Sequence, residues 1–284
     1  MKSANILTID VEDYFQVGNF AKVIKTSDWG RYESRVTKNT EMILRILEEA
    51  GISTTFFVLG WVAERFPELV KEIHKAGHEV ASHGYDHQLV YKQGPEGFRR
   101  DIKKAKYILE DITQAEVLGY RAPNYSITKK SMWALDILME EGFVYDSSLF
   151  PINHDKGGMP DSKRYPFKLY RHKKSMWEFP LSTVRIMNKN IPFSGGGYFR
   201  LLPYSFIKWS IGSINGEGRP AVMYLHPWEF DPAQPKIKTD YLSMFRHYVN
   251  MSKTESKLKE LLGDFRFKSV RDYLRETELD AAAA

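Results

Sequence analysis

The feature that most constrains the fold is a unit of helix, glycine and strand that recurs along the chain. Residues 41–58 begin with apolar side chains at helical spacing, turn at Gly51 and continue as a β-branched, aromatic run. The same order appears at residues 67–81 and again at 131–145. Because strands separated by helices pair in parallel, this alternation predicts an α/β fold built on a parallel sheet.

Length and composition are consistent with one domain of this class. The chain has 284 residues, of which 43% are hydrophobic and 14% aromatic, enough for one large core. We expect a single catalytic domain over residues 1–280, with an irregular insertion rich in proline, glycine and aromatic residues near 151–200. Residues 281–284 are expected to be a tail outside the domain. Beyond the insertion, the periodicity predicts a helix near 203–214, a strand at 221–225, one long helix near 240–262 and a terminal strand and helix.

Composition also argues against several functional classes. The 41 basic residues only slightly outnumber the 36 acidic ones and are dispersed, so a nucleic-acid partner is not expected. No segment reaches the roughly 18 uncharged apolar residues of a membrane span. The N-terminus enters a strand without the apolar core of a signal peptide, which favours a cytoplasmic location. The sequence does not indicate an oligomeric state.

Acidic residues and a histidine pair follow two of the predicted strands. The first apolar run ends in Asp10, Glu12 and Asp13, and a later one leads into His83 and His87, four residues apart. On a helical turn this spacing would point both rings the same way. The chain has no cysteine, so a metal site must use histidine and carboxylate ligands. Two imidazoles and one carboxylate leave positions open for water, as a hydrolytic metal site requires.

These residues form one site only if both strands end at the same face of the sheet. In a parallel β/α architecture they do, because the carboxyl ends of the strands gather there. The alternative, two solvated loop histidines and a polar loop after the first strand, is not excluded by the histidine pair alone.

Two further polar residues follow predicted strands. Arg121 comes shortly after the strand-like pair 117–118, and His226 directly follows the run 221–225. An arginine in such a place can pair with a carboxylate, and a histidine can donate a proton. The alternatives are a structural salt bridge and a histidine that only caps a strand.

Taken in order, five motifs resemble the polysaccharide deacetylases of carbohydrate esterase family 4. They are Thr-Ile-Asp followed by Glu-Asp, then Ser-His-x-x-x-His, Arg-x-Pro, Tyr-Asp-Ser-Ser and Leu-His-Pro, within residues 8–229. The sequence is most similar to the branch found beside exosortase and exopolysaccharide gene clusters. The resemblance implies a distorted (β/α) barrel of about seven parallel strands. It also implies hydrolysis of N-acetyl groups from N-acetylhexosamine units of a poly- or oligosaccharide, with a divalent metal ion, usually zinc.

The resemblance also implies roles for individual residues in catalysis. Asp10 matches the general base, Arg121 the arginine that orients this base, and His226 the general acid that protonates the leaving amine. Tyr125 or Asn124 would lie near the backbone N–H that completes the oxyanion hole.

The implied metal ligands are His83, His87 and one acid. Val11 stands where the common first motif has its second, metal-binding aspartate. Related branches place the metal acid two residues after the base, which points to Glu12, whereas Asp13 has the more usual side chain. Both therefore stay candidates.

Three residues are candidates for substrate binding. Tyr125 lies beside the expected oxyanion hole, and Asp146 lies in the motif whose acid contacts the active-site face in the family. Tyr198, in the glycine-rich segment 193–200, is a candidate to stack on a sugar ring, with Phe199 as the alternative, although this segment can equally be a turn between elements.

Two other functions compete with sugar deacetylation. The first is hydrolysis of a small non-sugar amide, as in the allantoinase-type members of the same superfamily. The second is a non-catalytic sugar-binding scaffold. The histidine pair favours a metal enzyme, the aromatic insertion favours an extended ligand, and binding alone requires neither a base nor an acid.

Overall fold

The computed structural model describes the backbone of residues 4–154 and 156–283, and side chains as far as residue 277. Its centre is a curled, mostly parallel sheet. The strands are β1 (Asn5–Val11), β2 (Thr55–Val58), β3 (Glu79–Ser82), β4 (Gly119–Tyr120), β5 (Tyr145–Asp146), β6 (Phe167–Arg171), β7 (Lys174–Glu178), β8 (Thr183–Ile186), β9 (Lys189–Pro192), β10 (Val222–Leu225) and β11 (Phe267–Lys268).

Helices connect most of these strands. They are α1 (Val36–Ala50), α2 (Gly60–Arg65), α3 (Pro67–Lys75), α4 (Val90–Thr113), α5 (Trp133–Glu140), α6 (Gly196–Leu201), α7 (Tyr204–Gly216), α8 (Tyr241–Tyr248), α9 (Thr254–Asp264) and α10 (Val270–Ala283). In each of the three predicted units the glycine adopts a left-handed conformation and ends the helix before its strand, with φ of 65° at Gly51, 86° at Gly77 and 79° at Gly142. No helix in the described part of the chain has the length and apolar character needed to cross a bilayer.

The predicted fold class is confirmed by the order of strands in the sheet. That order is β10-β1-β2-β3-β4-β5-β7-β6, and neighbours along it are parallel except for the final antiparallel pair. The path thus holds seven parallel strands, and β11 adds a short parallel pairing to β1. The backbone after β7 reaches the other end of the sheet, where the Ser182 N–H donates to Val222 O at 3.2 Å and the Tyr224 N–H to Ser194 O at 2.9 Å.

The C-terminal part of the chain was expected to hold one long helix and a tail. The single long helix predicted near 240–262 is wrong: the structure has two helices, α8 and α9, separated at Asn250, which has a φ of 52°. The buried Arg200 guanidinium accounts for this break, because it donates to backbone carbonyls at the end of α8. Residues 281–283 continue the backbone of α10 and residue 284 lies outside the described residues, so the tail stays a prediction.

The register of the sheet determines where the functional side chains gather. Ile9 lies beside Leu225, Val11 beside Val58, and Ser82 beside Tyr120. The residues that follow β3, β4 and β10 therefore emerge along one rim, together with the end of β1.

Candidate active site

A buried ion pair joins the end of β1 to the residue after β4. Arg121 Nη1 donates to Asp10 Oδ1 at 2.7 Å, and the two side chains are 0% and 2% exposed. The same guanidinium donates to Thr8 Oγ1 at 2.6 Å and to the hydroxyl and carbonyl oxygens of Ser147. Burial lowers the pKa of Arg121, but the carboxylate of Asp10 outweighs it and the pKa is raised overall. Asp10 Oδ2 is left facing His226, with 4.0 Å to its Nε2.

Three side chains with metal-ligating atoms converge beside Asp10. One ligand atom each from Glu12, His83 and His87 lies within 4.8 Å of the others. His83 Nδ1 is 2.8 Å from the carbonyl oxygen of Arg121, a contact that fixes Nδ1 as the protonated nitrogen and leaves Nε2 available. Glu12 Oε2 lies 2.9 Å from His87 Nε2.

The chemistry of this group suits a divalent cation. Glu12 Oε2 is buried, and its close neighbour is His87 Nε2, itself a metal-ligating atom, so a cation bound by both would satisfy the charge of the carboxylate. Burial lowers the pKa of His83 to about 4, so the ring is in the neutral form that binds metals. Burial raises the pKa of Glu12, but the neighbouring imidazoles of His87, His226 and His83 bring it down to about 2. Two imidazole nitrogens and one carboxylate oxygen are ligands typical of zinc.

Asp13 lies apart from this group and supports the start of α1. Its Oδ2 accepts hydrogen bonds from the Ser34 hydroxyl at 2.5 Å and from the backbone N–H groups of Arg35 at 2.9 Å and Val36 at 3.2 Å. Its Oδ1 accepts from the Tyr14 N–H at 3.0 Å. Of the two acids left open by the sequence, only Glu12 belongs to the histidine cluster among the described residues.

His226 faces this cluster from the end of β10. Its Nε2 lies 3.4 Å from Glu12 Oε1, and its Nδ1 lies 2.7 Å from Glu229 Oε1. The ring stacks on Trp228 with a centroid separation of 5.1 Å. Burial lowers the pKa of His226, but the carboxylates of Glu229, Glu12 and Asp10 outweigh burial and raise it to about 9. The ring is thus oriented by Glu229 and presents Nε2 to the site.

Two buried residues behind His226 were missed in the sequence. Glu229 is fully buried, and its Oε2 lies 3.7 Å from Nε of Arg200, which is 2% exposed. Glu229 stands three residues after His226 in a short helical turn that begins at Pro227, and this spacing was an available signal. Arg200 closes the glycine-rich segment 193–200 and carried no such signal.

The predicted substrate-binding residues occupy three different places. Tyr125 is buried against Phe150 and Tyr224, and its backbone N–H donates to Ala122 O at 3.0 Å. Asp146 is fully buried and bonded to Ser148, and burial raises its pKa to about 6. Tyr198 is half-buried and lines a cleft whose walls are formed by the insertion. The structure brings Asp10, Glu12, His83, His87, Arg121 and His226 together, whereas Asp13, Asp146 and Tyr198 lie around them.

Fold and site together define a class of protein: a curled parallel α/β sheet whose strand ends carry an arginine-bound aspartate and a His–His–Glu cluster. Residues 20–138 match the family model described as Polysaccharide deacetylase, and residues 147–275 match a Domain of unknown function (DUF3473). The N-terminal part of the chain is therefore similar to polysaccharide deacetylases.

Curated relatives match over little more than a third of the chain. A peptidoglycan deacetylase-like protein of Gibberella zeae is 34% identical over 109 residues, which are 38% of this chain and 31% of that protein. A peptidoglycan-N-acetylglucosamine deacetylase of Bacillus cereus is 33% identical over 98 residues, covering 34% of this chain and 36% of that protein. The chain spans about a third of the length of these relatives.

Solved structures resemble the whole chain. A putative polysaccharide deacetylase from Mycobacterium smegmatis aligns with a TM-score of 0.65 at 19% identity, over 99% of this chain and 96% of that one. An allantoinase aligns with a TM-score of 0.62 at 15% identity, over 96% and 89%. At these identities the likeness supports the fold and not the activity.

Proposed function

We propose that this protein hydrolyses N-acetyl groups of N-acetylhexosamine units in a poly- or oligosaccharide and releases acetate. The observation that carries the proposal is the arrangement of two oriented proton-transfer groups beside one cluster of metal ligands. Asp10 is held by Arg121 and His226 by Glu229, and Asp10 Oδ2 and His226 Nε2 are 4.0 Å apart.

We infer that Glu12, His83 and His87 hold a divalent ion, for which zinc fits the donor atoms best. When bound, such an ion polarises the amide carbonyl and lowers the pKa of a water molecule. The convergence of the three ligand atoms, with Glu12 Oε2 buried against His87 Nε2, supports this assignment.

Asp10 and His226 supply the two proton transfers that amide hydrolysis needs. Asp10 Oδ2 is the oxygen not bonded to Arg121, and it accepts the proton of the attacking water as the new carbon–oxygen bond forms. His226 Nε2 donates a proton to the amide nitrogen as the carbon–nitrogen bond breaks. The products are acetate and a free amine. Glu229 fixes the ring so that Nε2 faces the reacting atoms.

The surroundings of the site favour a sugar polymer over a small amide. Tyr198, which packs in the same cluster as Tyr224, lines an open cleft of about 1160 Å³ in the insertion, a volume well beyond what a small amide fills. A scaffold that only binds sugar gains nothing from burying Asp10 and Arg121, since buried charges are costly to desolvate.

Acetate release from N-acetylated oligosaccharides, measured with and without a chelator, tests the proposal. We expect release from the metal-loaded enzyme, loss with the chelator and recovery when zinc is added back. Allantoin and an O-acetylated xylo-oligosaccharide serve as competing substrates. Turnover of allantoin alone would show a small-amide hydrolase. Binding of oligosaccharides by the metal-loaded protein without any acetate release would show a scaffold.

A further inference from the structure

The insertion forms the walls of a wide cleft. Its volume is about 1160 Å³, and its walls come from residues 160–167, from the hairpin of β8 and β9, and from Ile152, Tyr198 and Arg219. We call this space the cationic cleft. The turn of the hairpin consists of Met187 and Asn188, both with positive φ, a tight connection that keeps the two strands paired.

Positive charge dominates the lining of the cationic cleft. Five basic side chains and one acidic side chain line it. The basic ones are Lys163, Arg164, Arg185, Lys189 and Arg219. The acid, Asp161, is already paired with Lys129, and Arg164 pairs with Glu217 at 3.7 Å. Within residues 4–154 and 156–277, no carboxylate lies within 4.0 Å of Arg185, Lys189 or Arg219.

Unpaired like charges around one concavity repel each other and concentrate anions from solution. Arginine presents a planar set of donors that matches a carboxylate with two hydrogen bonds. Two aromatic rings of the lining also lie close to cations: Lys163 sits 4.9 Å from the ring of Phe167 and Arg219 5.8 Å from that of Tyr165. The cleft thus combines hydrogen-bond donors for anions with the faces of aromatic rings. An acidic sugar can bind to both, through its carboxylate and through the apolar face of its ring.

Tyr198 relates the cationic cleft to the catalytic groups. Tyr198 and Ile152 of the lining pack in the same cluster as Tyr224. The ring of Tyr224 is 5.4 Å from the ring of His226. Gly196 lets the backbone next to Tyr198 approach Tyr224, because a Cβ there would lie 2.7 Å from the Tyr224 hydroxyl. A glycan that extends from the cleft past Tyr198 and Tyr224 would place one unit beside His226.

We propose that the cationic cleft binds carboxylate groups of an acidic, N-acetylated glycan on sugar units that flank the one at His226. This inference rests on the proposed function for the identity of the sugar beside His226. The carboxylates neutralise Arg185, Lys189 and Arg219, and the protein thereby selects acidic over neutral glycans.

The test compares two hexasaccharides with metal-free protein, so that neither is turned over. One alternates N-acetylglucosamine with glucuronate, and the other is neutral chitohexaose. We expect the acidic sugar to bind at least about tenfold more tightly at low salt, with the ratio shrinking as salt rises. In the Arg185→Gln, Lys189→Gln, Arg219→Gln triple variant the ratio should fall to near one.

The matched control is the Lys168→Gln, Lys174→Gln variant, which removes exposed basic residues of the β6–β7 hairpin outside the lining. It should keep the ratio of the unmodified protein. If the triple variant fails to fold in a thermal melt, Arg185→Gln alone should lower the ratio by a smaller amount. A ratio near one in the unmodified protein, or an unchanged ratio in a folded triple variant, overturns the proposal.

The two proposals can fail separately. Tighter binding of the acidic hexasaccharide without acetate release from any N-acetylated glycan would support the role of the cationic cleft and contradict the deacetylase activity. Acetate release from chitohexaose without tighter binding of the acidic hexasaccharide would support the activity and contradict the role of the cleft.

Discussion

Replacing Arg121 with methionine should destabilise the protein far more than removing a similar arginine from the surface. Methionine keeps most of the aliphatic volume and removes the charge. The substitution deletes hydrogen bonds to Asp10, Thr8 and Ser147 and leaves the Asp10 carboxylate buried without a counterion. Removing one partner of a buried pair costs about 3–5 kcal/mol, a large part of the roughly 5–15 kcal/mol that stabilises a typical domain.

The matched control is Arg171→Met. Arg171 binds Asp136 through two hydrogen bonds of 2.5 and 2.7 Å, but the two side chains are 28% and 25% exposed. Water takes over much of the lost interaction there, so we expect at most about 1 kcal/mol of destabilisation. The two variants therefore differ in burial and not in the type of ion pair.

Urea unfolding followed by tryptophan fluorescence measures both variants, since the chain has six tryptophans. Asp10→Asn and the double variant with Arg121→Met complete a cycle, and the double variant should lose less stability than the sum of the single ones. Equal and small losses for Arg121→Met and Arg171→Met would refute the reasoning, because they would show that Asp10 does not need its buried counterion.

Three further predictions concern metal, catalysis and pH. Glu12→Gln should lose bound metal in elemental analysis while staying folded, whereas Asp13→Asn should keep the metal and lose about 1 kcal/mol of stability through its cap on α1; the reverse pattern would exchange their roles. Asp10→Asn and His226→Asn should each lower kcat roughly 10²–10⁴-fold with metal still bound, and near-normal turnover in the His226 variant would remove this residue from the mechanism. Burial lowers the pKa of His78 to about 4 in the folded protein, below the usual 6.5, so the unfolded chain binds the extra proton and stability falls as pH drops from 6.5 to 4. His78→Asn should remove up to about 3 kcal/mol of this pH dependence of the free energy of unfolding. The same pH profile of unfolding in the variant and the unmodified protein would contradict this role of His78.

The sequence predicted those parts of the site that depend on sheet topology. Asp10 lies near the end of β1, Arg121 and His226 each follow a strand, and parallel pairing in a fixed register is enough to bring them to one rim. The choice between Glu12 and Asp13 depends on which side chain turns inward after β1 ends, and that is set by contacts of Asp13 with the distant start of α1. Arg200 was beyond prediction for the same reason, since its partners at residues 229 and 246–249 are remote in sequence.

His83 and His87 come together through a backbone geometry different from the one that their spacing predicts. Spacing of four residues predicts that His83 and His87 point the same way on a helical turn, but residues 83–89 contain no helix. The chain instead turns at Gly84 and His87, which have φ of 74° and 57°. The Tyr85 N–H holds the loop by donating to Asp101 Oδ2 at 3.1 Å, and a Cβ at Gly84 would lie 2.8 Å from the same oxygen. A left-handed backbone is costly for a histidine, so the loop holds His87 in a conformation that places its Nε2 beside Glu12. Gly84 and Asp101 therefore determine the arrangement of the His83, His87 and Glu12 side chains as much as the two histidines do.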